Sequence, residues 1–428
     1  MEKTKVGIVG LGTVGSGVAR LLLDFGDRTA RHAGRTLWLE QVVVRDVDKP
    51  RDCELPKGIL SDDLSKITGN REITTVAHLV GGLEPARSIM IALLESGKDV
   101  ITANKALLAE HGPELFDLAR ELGRSIAFEA SVAGGIPIIA NISQCLSANQ
   151  IESLTAILNG TSNFILTQME EQESDYASAL DEAQRLGYAE ADPTMDVGGF
   201  DAAHKLCLLA ALAFGGAPNF AAAEVEGIEQ IELVDIRLAH ELGYRIKLIA
   251  SASREAGGAS VRVNPALTPL DHPLAQAGGS LNALFIEGRR IGRIYLQGPG
   301  AGAGPTAAAV AADIADVIAG ASRPVFQGAA EGLSPLPPGD PQQRVGKAFL
   351  RLVVRDRPGV IAGVSEALAK AGVSIDSFLQ RPVEDTGLVP IVLTTQPASE
   401  GAVRDAIDHI EALEAVVERP RMIRIARI

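Results

Sequence analysis

Aromatic side chains are scarce in this chain, four per cent of 428 residues, so the stacking surfaces that hold nucleic-acid bases are not expected. Positive charge is in deficit as well. Forty Lys and Arg stand against 54 Asp and Glu, a net charge of -14 that repels a phosphate backbone. No apolar run approaches the ~20 residues of a bilayer span, and Gly residues follow the Val6–Val9 segment where a signal peptide would stay hydrophobic. A cytoplasmic protein with neither membrane nor nucleic acid as partner is expected. Cys53, Cys145 and Cys207 are odd in number and widely separated, which argues against disulfides and a zinc site. The seven histidines form no HxH or HxxxH pair, so a transition-metal site is not expected either. Small molecules remain as ligands. With 46% hydrophobic residues, the chain can bury a core in each of two or three domains.

What is present starts with glycine. Lys5–Gly10 reads as a buried strand, Gly10-Leu11-Gly12-Thr13-Val14-Gly15 follows, and Val18–Leu23 opens an apolar helix. Strand, three spaced glycines and helix form the context of a dinucleotide loop. The first two glycines let the backbone turn and approach a pyrophosphate, the third lets helix and sheet pack closely, and free N–H groups at the helix start face the phosphate.

Strand-like segments recur at Trp38–Val44, Thr75–Val80, Asp99–Thr102 and Ser125–Glu129, with helices between them such as Pro85–Ser96. This alternation predicts an α/β, Rossmann-type doubly wound sheet, with functional residues just past the carboxyl ends of its strands. After Glu129 the pattern changes to that of an inserted α+β domain. Helices are expected near Pro137–Cys145, Ser162–Glu170, Tyr176–Leu186 and Asp201–Ala213, and strands at Lys247–Ala252, Ser260–Val263, Ala283–Glu287 and Gly292–Gln297. A Gly-rich loop from Gly298 leads to helix Ala307–Ala319, placed to return to the nucleotide domain. The Pro- and Gly-rich stretch 321–345 reads as a linker. From Phe349 onward the order βαββαβ predicts a ferredoxin-like unit. The expected limits are therefore 1–134 with about 300–320, then 135–299, then 346–428.

Four carboxylates, Glu190, Asp192, Asp196 and Asp201, precede Lys205 within one short segment. Asp201 and Lys205 are spaced i, i+4 and share a helix face. On a solvated helix such a pair contributes only ~0.3–0.5 kcal/mol, but this helix is apolar and looks buried. A lysine held charged there by carboxylates suits a general acid. Gly81-Gly82 ends the third strand and lets a nicotinamide ribose approach the backbone, while Lys105 follows the fourth strand and points to the crevice. Glu129 and the irregular turn after it offer one carboxylate and several carbonyls to a hard cation.

These segments resemble homoserine dehydrogenase: Gly10-Leu-Gly-Thr-Val-Gly, Gly81-Gly-Leu-Glu-Pro-Ala, Thr102-Ala-Asn-Lys-Ala-Leu, Glu129-Ala-Ser-Val-Ala-Gly-Gly-Ile-Pro, Leu158-Asn-Gly-Thr-Ser-Asn, Gly187-Tyr-Ala-Glu-Ala-Asp-Pro and Gly300-Ala-Gly-Ala-Gly-Pro-Thr. The resemblance runs from Val6 to about Ala319, and the terminal unit resembles an ACT domain, an amino-acid-sensing module. It implies NAD(P)-dependent interconversion of aspartate 4-semialdehyde and homoserine on the route to threonine and methionine, with threonine as the expected effector and a homodimer or homotetramer as the assembly. Carried over, Lys205 is the proton donor to the aldehyde oxygen, Lys105 the lysine at nicotinamide and substrate, Glu190 and Asp196 the substrate-binding acids, and Asp201 a supporting acid. A monovalent cation, sodium, is implied on Glu129 and the main chain of Val132, Gly134 and Ile136, and Gly187 and Gly302 are implied at the cofactor. The chain departs from the family pattern at His204, where arginine is common, at Ala308 in place of serine, and at Gln396 in place of a frequent histidine.

The second strand ends Val44-Arg45-Asp46: the acid suits a ribose 2′-hydroxyl and the arginine a 2′-phosphate. Arg45 turns the reading to NADP, with NAD as the alternative. Two rival readings stand beside it, a dehydrogenase for another amino-acid semialdehyde and a non-catalytic sensor; the sensor predicts loss of the reactive lysines, and Lys105 and Lys205 are both present.

Overall fold

A computed structural model describes residues 2–29, 34–255, 258–321, 326, 334–335, 337–380 and 387–428. The first layer system is a six-stranded parallel sheet: β1 (Glu2–Val9), β2 (Arg35–Val43), β3 (Leu60–Ser61), β4 (Ile73–His78), β5 (Asp99–Thr102) and β6 (Ile126–Ala127). Its order is β3-β2-β1-β4-β5-β6, one short strand more than the sequence suggested. The strands are near-continuous runs of Val and Ile because helices cover both faces; Val6, Ile8, Val42, Val76, Val100 and Ile101 are fully buried. Each such side chain contributes roughly 1.5–3 kcal/mol by leaving water. Strand order reverses between β1 and β4, which opens the crevice where an α/β sheet binds its ligand.

The longer helices between these strands are α1 (Thr13–Thr29), α2 (Ala86–Glu95) and α3 (Lys105–Glu121). The side chain of Asn104 caps α3 by accepting from the N–H of Leu107 at 3.0 Å. The expected helix after Pro137 is a single α turn, Ile138–Ala140, followed by a π turn, Asn141–Cys145.

The chain then builds β7 (Ile151–Ile157), α4 (Gly160–Glu171), α5 (Tyr176–Arg185) and α6 (Phe200–Phe214). Left-handed glycines bound α6, Gly199 at φ 84° and Gly215 at φ 76°. Every residue of α6 from Asp201 to Ala211 is buried, because the helix is apolar on all sides and lies inside the domain. This is the physical reason that Asp201 and Lys205 leave water. The helix Leu233–Glu241 was not anticipated. Strands β8 (Tyr244–Glu255), β9 (Gly258–Pro269), β10 (Leu281–Gly288) and β11 (Gly292–Pro299) follow, the first two much longer than expected.

Helix α7 (Ala303–Ile318) returns to the nucleotide domain as its composition suggested. It lies so close to α1 that a Cβ on Gly17 would stand 2.9 Å from the Cβ of Ala307. The last unit is β12 (Ala348–Arg355), α8 (Val360–Lys370), β13 (Ile375–Gln380), β14 (Leu388–Thr395), α9 (Glu400–Glu411) and β15 (Arg421–Ile425), in the expected βαββαβ order. It is not a separate bead on a linker. β15 pairs in parallel with β9 through Ala266 with Arg424 and Leu267 with Ile425, so the two sheets run on as one, in the order β11-β10-β7-β8-β9-β15-β12-β14-β13. Beside this seam Arg351 of β12 donates to the fully buried carboxylate of Asp235 at 2.6 Å. Of the stretch read as a linker, Pro337 accepts from Ala259 N–H at 2.9 Å and Ser334 from Ala217 N–H at 2.9 Å; residues 322–325, 327–333 and 336 lie outside the described residues.

Candidate active site

The glycine loop spans the end of β1 and the start of α1. Gly10 adopts φ 96°, and a Cβ there would stand 2.5 Å from the carbonyl oxygen of Leu79. A Cβ on Gly15 would meet the carbonyl oxygen of Gly10 at 2.2 Å. A Cβ on Gly12 would meet nothing within 4 Å, so this face of the loop, ahead of Thr13 and Val14 at the helix start, is open to a ligand. Gly10 and Gly15 fold the loop, and Gly12 admits what it binds.

Across the crevice, Gly81 is open and Gly82 adopts φ 76°. The amide of Asn104 donates to the carbonyls of Val80 at 3.0 Å and Gly82 at 2.7 Å, which fixes the Gly81-Gly82 turn against the start of α3. The sequence had offered Asn104 only as a neighbour of Lys105; its helix-cap position was the available signal. Arg45 lies exposed just beyond β2. The Asp46 carboxylate beside it accepts from the N–H groups of Asp48 at 3.0 Å and Lys49 at 3.2 Å, so it is engaged in closing its own turn. Gly302 adopts φ 124° immediately before α7, and Gly187 φ 78° just past α5.

The acids and lysines converge on Asp201. Its Oδ1 lies 2.9 Å from Lys105 Nζ, and its Oδ2 2.6 Å from Lys205 Nζ. Lys205 also donates to the carbonyl of Leu158 at 2.8 Å. Lys205 and Asp201 are 8% and 7% exposed, whereas the Lys105 side chain is 34% exposed at the rim. Burial alone would raise the Asp201 carboxyl, but the ammonium groups of Lys205 and Lys105 outweigh it and hold the group well below the usual carboxylate range. Burial lowers Lys205 from the ordinary lysine value, with Asp201 opposing and Lys105 reinforcing that shift. Lys105 moves the other way, raised by the charge of Asp201, with Asp196 and Glu190 contributing.

Asp196 is half-buried in the turn Thr194–Val197 and raised by burial. Asn159, the cap of α4, donates to Asp196 Oδ1 at 2.7 Å and to Asp201 Oδ2 at 2.9 Å. Glu190 stands exposed at the mouth, its backbone carbonyl held by Gln184 at 3.0 Å. Asp192, to which the sequence gave no role, accepts from the N–H and hydroxyl of Thr194 at 3.1 and 2.6 Å and closes the turn that carries Asp196. His204 is buried, its ring centroid 4.2 Å from that of Phe220 and its Nε2 3.5 Å from Glu110 Oε1.

Glu129 is buried in a 3₁₀ turn, and its two oxygens accept from the N–H groups of Ile139 at 2.8 Å and Ala140 at 2.7 Å. Burial raises its pKa, and Asp313 of α7, which accepts from the Glu129 N–H at 2.9 Å, is pushed up to about 8. The Ile136 carbonyl accepts from the Ile138 N–H at 2.7 Å. The N–H of Gly134 bonds the Gly300 carbonyl at 3.0 Å, which joins this turn to the loop before α7. Both Glu129 oxygens and the Ile136 carbonyl, groups that the resemblance implied for a cation, thus already accept main-chain hydrogens. Among the described residues no three His, Cys, Asp or Glu side chains cluster in a way that could hold a metal ion.

The family profile described as homoserine dehydrogenase matches residues 137–315, its NAD-binding domain matches 10–129, and the ACT domain matches 348–412. The homoserine dehydrogenase of Pseudomonas aeruginosa is 42% identical over 100% of both chains. This chain belongs to the homoserine dehydrogenase family. It is an NAD(P)-dependent oxidoreductase with a C-terminal ACT domain. The family member of Bacillus subtilis is 38% identical over 98% of this chain and 97% of its own. A homoserine dehydrogenase structure from Thiobacillus denitrificans superposes with a TM-score of 0.93 at 41% identity, over 99% of this chain and 98% of that one. A hyperthermophilic archaeal homoserine dehydrogenase mutant in complex with NADPH covers 73% of this chain and 97% of its own, with a TM-score of 0.62 at 26% identity. In this family member Lys105, Lys205 and, through Asn159, Asp196 meet at Asp201, with Glu190 near enough to raise Lys105.

Proposed function

We propose that this enzyme reduces L-aspartate 4-semialdehyde to L-homoserine, reversibly, with Lys205 as the proton donor. The observation that carries the assignment is the buried Lys205–Asp201 contact of 2.6 Å, with Lys105 on the other carboxylate oxygen. A bound nicotinamide cofactor supplies the hydride to the aldehyde carbon and accepts it in the reverse direction. The oxygen of the substrate then becomes basic, and a lysine ammonium meets it with both charge and proton. Burial lowers the Lys205 pKa and so eases that donation; Asp201 keeps the group charged until then. Lys105, at the exposed rim, steadies Asp201 and faces the nicotinamide and substrate. Glu190 and Asp196 receive the substrate ammonium, which favours an amino-acid aldehyde over a plain one.

NADP is the proposed cofactor. Arg45, exposed beyond β2, would meet a 2′-phosphate, and the Asp46 carboxylate that would choose a 2′-hydroxyl is bonded to the N–H groups of Asp48 and Lys49. Gly10, Gly12, Thr13, Val14, Gly15, Gly81, Gly82, Gly187 and Gly302 would contact it. Sodium would be held by Glu129 with the carbonyls of Val132, Gly134 and Ile136, where it would neutralise a buried carboxylate beneath the cofactor loop. The ACT domain, 346–428, would bind threonine as the feedback effector, and the enzyme would work in the cytoplasm as a homodimer or homotetramer. The catalytic domain would span 135–299.

A steady-state assay tests the reading. Aspartate semialdehyde should drive NADPH oxidation faster than NADH oxidation and faster than other short aldehydes do, and threonine should slow it. The absence of semialdehyde-dependent oxidation with either nucleotide would overturn the assignment.

A further inference from the structure

Asn159 stands at the junction of three elements that the reaction needs, and the proposed roles leave it none. It is 4% exposed, between the end of β7 and the start of α4. Its Oδ1 accepts from the N–H of Ser162 at 2.7 Å, the bond that starts the helix. Its Nδ2 carries two hydrogens, and each goes to a different carboxylate, Asp196 at 2.7 Å and Asp201 at 2.9 Å. The amide cannot be turned over. Reversal would set an N–H₂ against the Ser162 N–H and an oxygen against two carboxylates.

This arrangement has a consequence for charge. Asp196 and Asp201 lie close enough to repel, and Asp196 is raised by its burial and by the Asp201 charge. A donor fixed between them favours the ionised form of both. It also holds Asp201 in the one orientation that gives Oδ1 to Lys105 and Oδ2 to Lys205. Helix α4 anchors the donor, and Ser162 reinforces the placement by donating through its hydroxyl to the carbonyl of Asp196 at 2.8 Å.

We infer that Asn159 is a positioning residue of the dehydrogenase reaction: it keeps the substrate-binding acid Asp196 and the lysine partner Asp201 ionised and aimed, through one amide that also caps α4. The inference rests on the proposed roles of those two acids and of Lys205. It separates two functions of a single side chain, and the two oxygens of an aspartate in its place separate them in the test. Asn159→Asp keeps an oxygen for the Ser162 N–H but removes both donors and adds a third carboxylate. Asn159→Ser keeps a helix cap and removes the reach to both acids without adding charge.

For Asn159→Asp, kcat for semialdehyde reduction should fall by roughly 10- to 100-fold, the loss of hydrogen bonds to charged groups. The acid limb of its kcat/KM profile should move to higher pH by about one unit or more, because a third carboxylate retains a proton in the cluster. NADPH affinity should stay within about twofold, since no part of the glycine loop is touched. Asn159→Ser should show a smaller fall and a smaller shift of the same sign, and it decides the question if the aspartate variant does not fold. An unmoved acid limb in the folded variants, whatever the loss in rate, would overturn the inference and leave Asn159 a helix cap. Should the unaltered enzyme lack activity with the semialdehyde, the proposed reaction fails on its own. In that case ¹³C NMR titration of the Asp196 and Asp201 carboxyls still decides: both should titrate higher in Asn159→Ser, and unchanged titration rejects the role.

Discussion

The two sides of the cleft solve their tasks with different material. On the nucleotide side the surface left open is mostly main chain, at Gly12, at the Gly81-Gly82 turn and at the start of α1, with the Arg45 side chain exposed beyond β2. On the substrate side they are side chains taken out of water, Asp201 and Lys205, tied to Asn159 and Lys105. The main-chain site depends on conformations that only glycine permits and tolerates exchange of the residues around it. The side-chain site depends on pairing, because an unpaired charge in that place costs several kcal/mol. A change on one side should therefore alter cofactor affinity, and a change on the other should alter turnover.

The largest expected effect is at Lys205. Lys205→Ala should lower kcat by about 10³-fold with NADPH affinity unchanged, since general acids contribute ~10²–10⁴. Stopped-flow turnover beside fluorescence titration of NADPH checks this, and parallel loss of both would break the division between the two sides. The rate of semialdehyde reduction should also fall as pH rises through the Lys205 pKa, which burial places below the ordinary lysine value, because the donor is lost.

Next comes the seam between the catalytic and ACT sheets, where pairing again decides. Arg351→Met leaves the buried Asp235 carboxylate with the Glu232 N–H at 3.0 Å and, for a cation, Arg421 at 3.7 Å, and should cost about 3 kcal/mol in urea unfolding. It should also blunt any response to threonine, measured as the inhibition of initial rates.

The glycine loop supplies a sharper contrast. Gly15→Ala forces a Cβ to within 2.2 Å of a carbonyl oxygen and should lower the melting temperature as well as NADPH affinity. Gly12→Ala has open space and should leave the melting temperature unchanged while NADPH affinity, by calorimetry, drops roughly tenfold. Equal melting losses in the two variants would contradict the separate roles of these glycines.

The narrowest effect, confined to one of the two nucleotides, is expected at Arg45, exposed beyond β2. Arg45→Ala should weaken NADPH by about tenfold and leave NADH unaffected, as loss of one charge-assisted contact predicts. Equal weakening of both nucleotides would place Arg45 away from the 2′-phosphate.

Much of this organisation was readable beforehand because it repeats locally. The alternation of apolar strands and helices gave the parallel sheet, the three spaced glycines gave its loop, and the apolar surroundings of Asp201 and Lys205 pointed to a buried pair. The short strand Leu60–Ser61 escaped because two residues carry no period. The alanines of α7 suggested a return to the nucleotide domain, yet its seat on α1, with Gly17 against Ala307, was not legible. The length of β8 and β9 was underestimated because their ends extend past the apolar centre, through Arg254 and Glu255 on one strand and Thr268 and Pro269 on the other. The joining of the ACT sheet to the catalytic sheet through β9 and β15 was invisible, since edge pairing is made by backbone groups that every residue carries.

By itself the sequence determined the kinds of element, the site of the nucleotide loop and the spacing that puts Asp201 beside Lys205, all matters of near neighbours and of steric rules for glycine. Tertiary structure alone decided that Lys105, from the nucleotide domain, would share the Asp201 carboxylate with Lys205, and that Asn159 would join Asp196 to Asp201. Those contacts arise where the start of α3, the start of α4 and the buried helix α6 meet. Charge on these buried groups is set by that meeting, because the field on each comes from whichever residues the fold brings within a few ångströms of it, however distant they are along the chain.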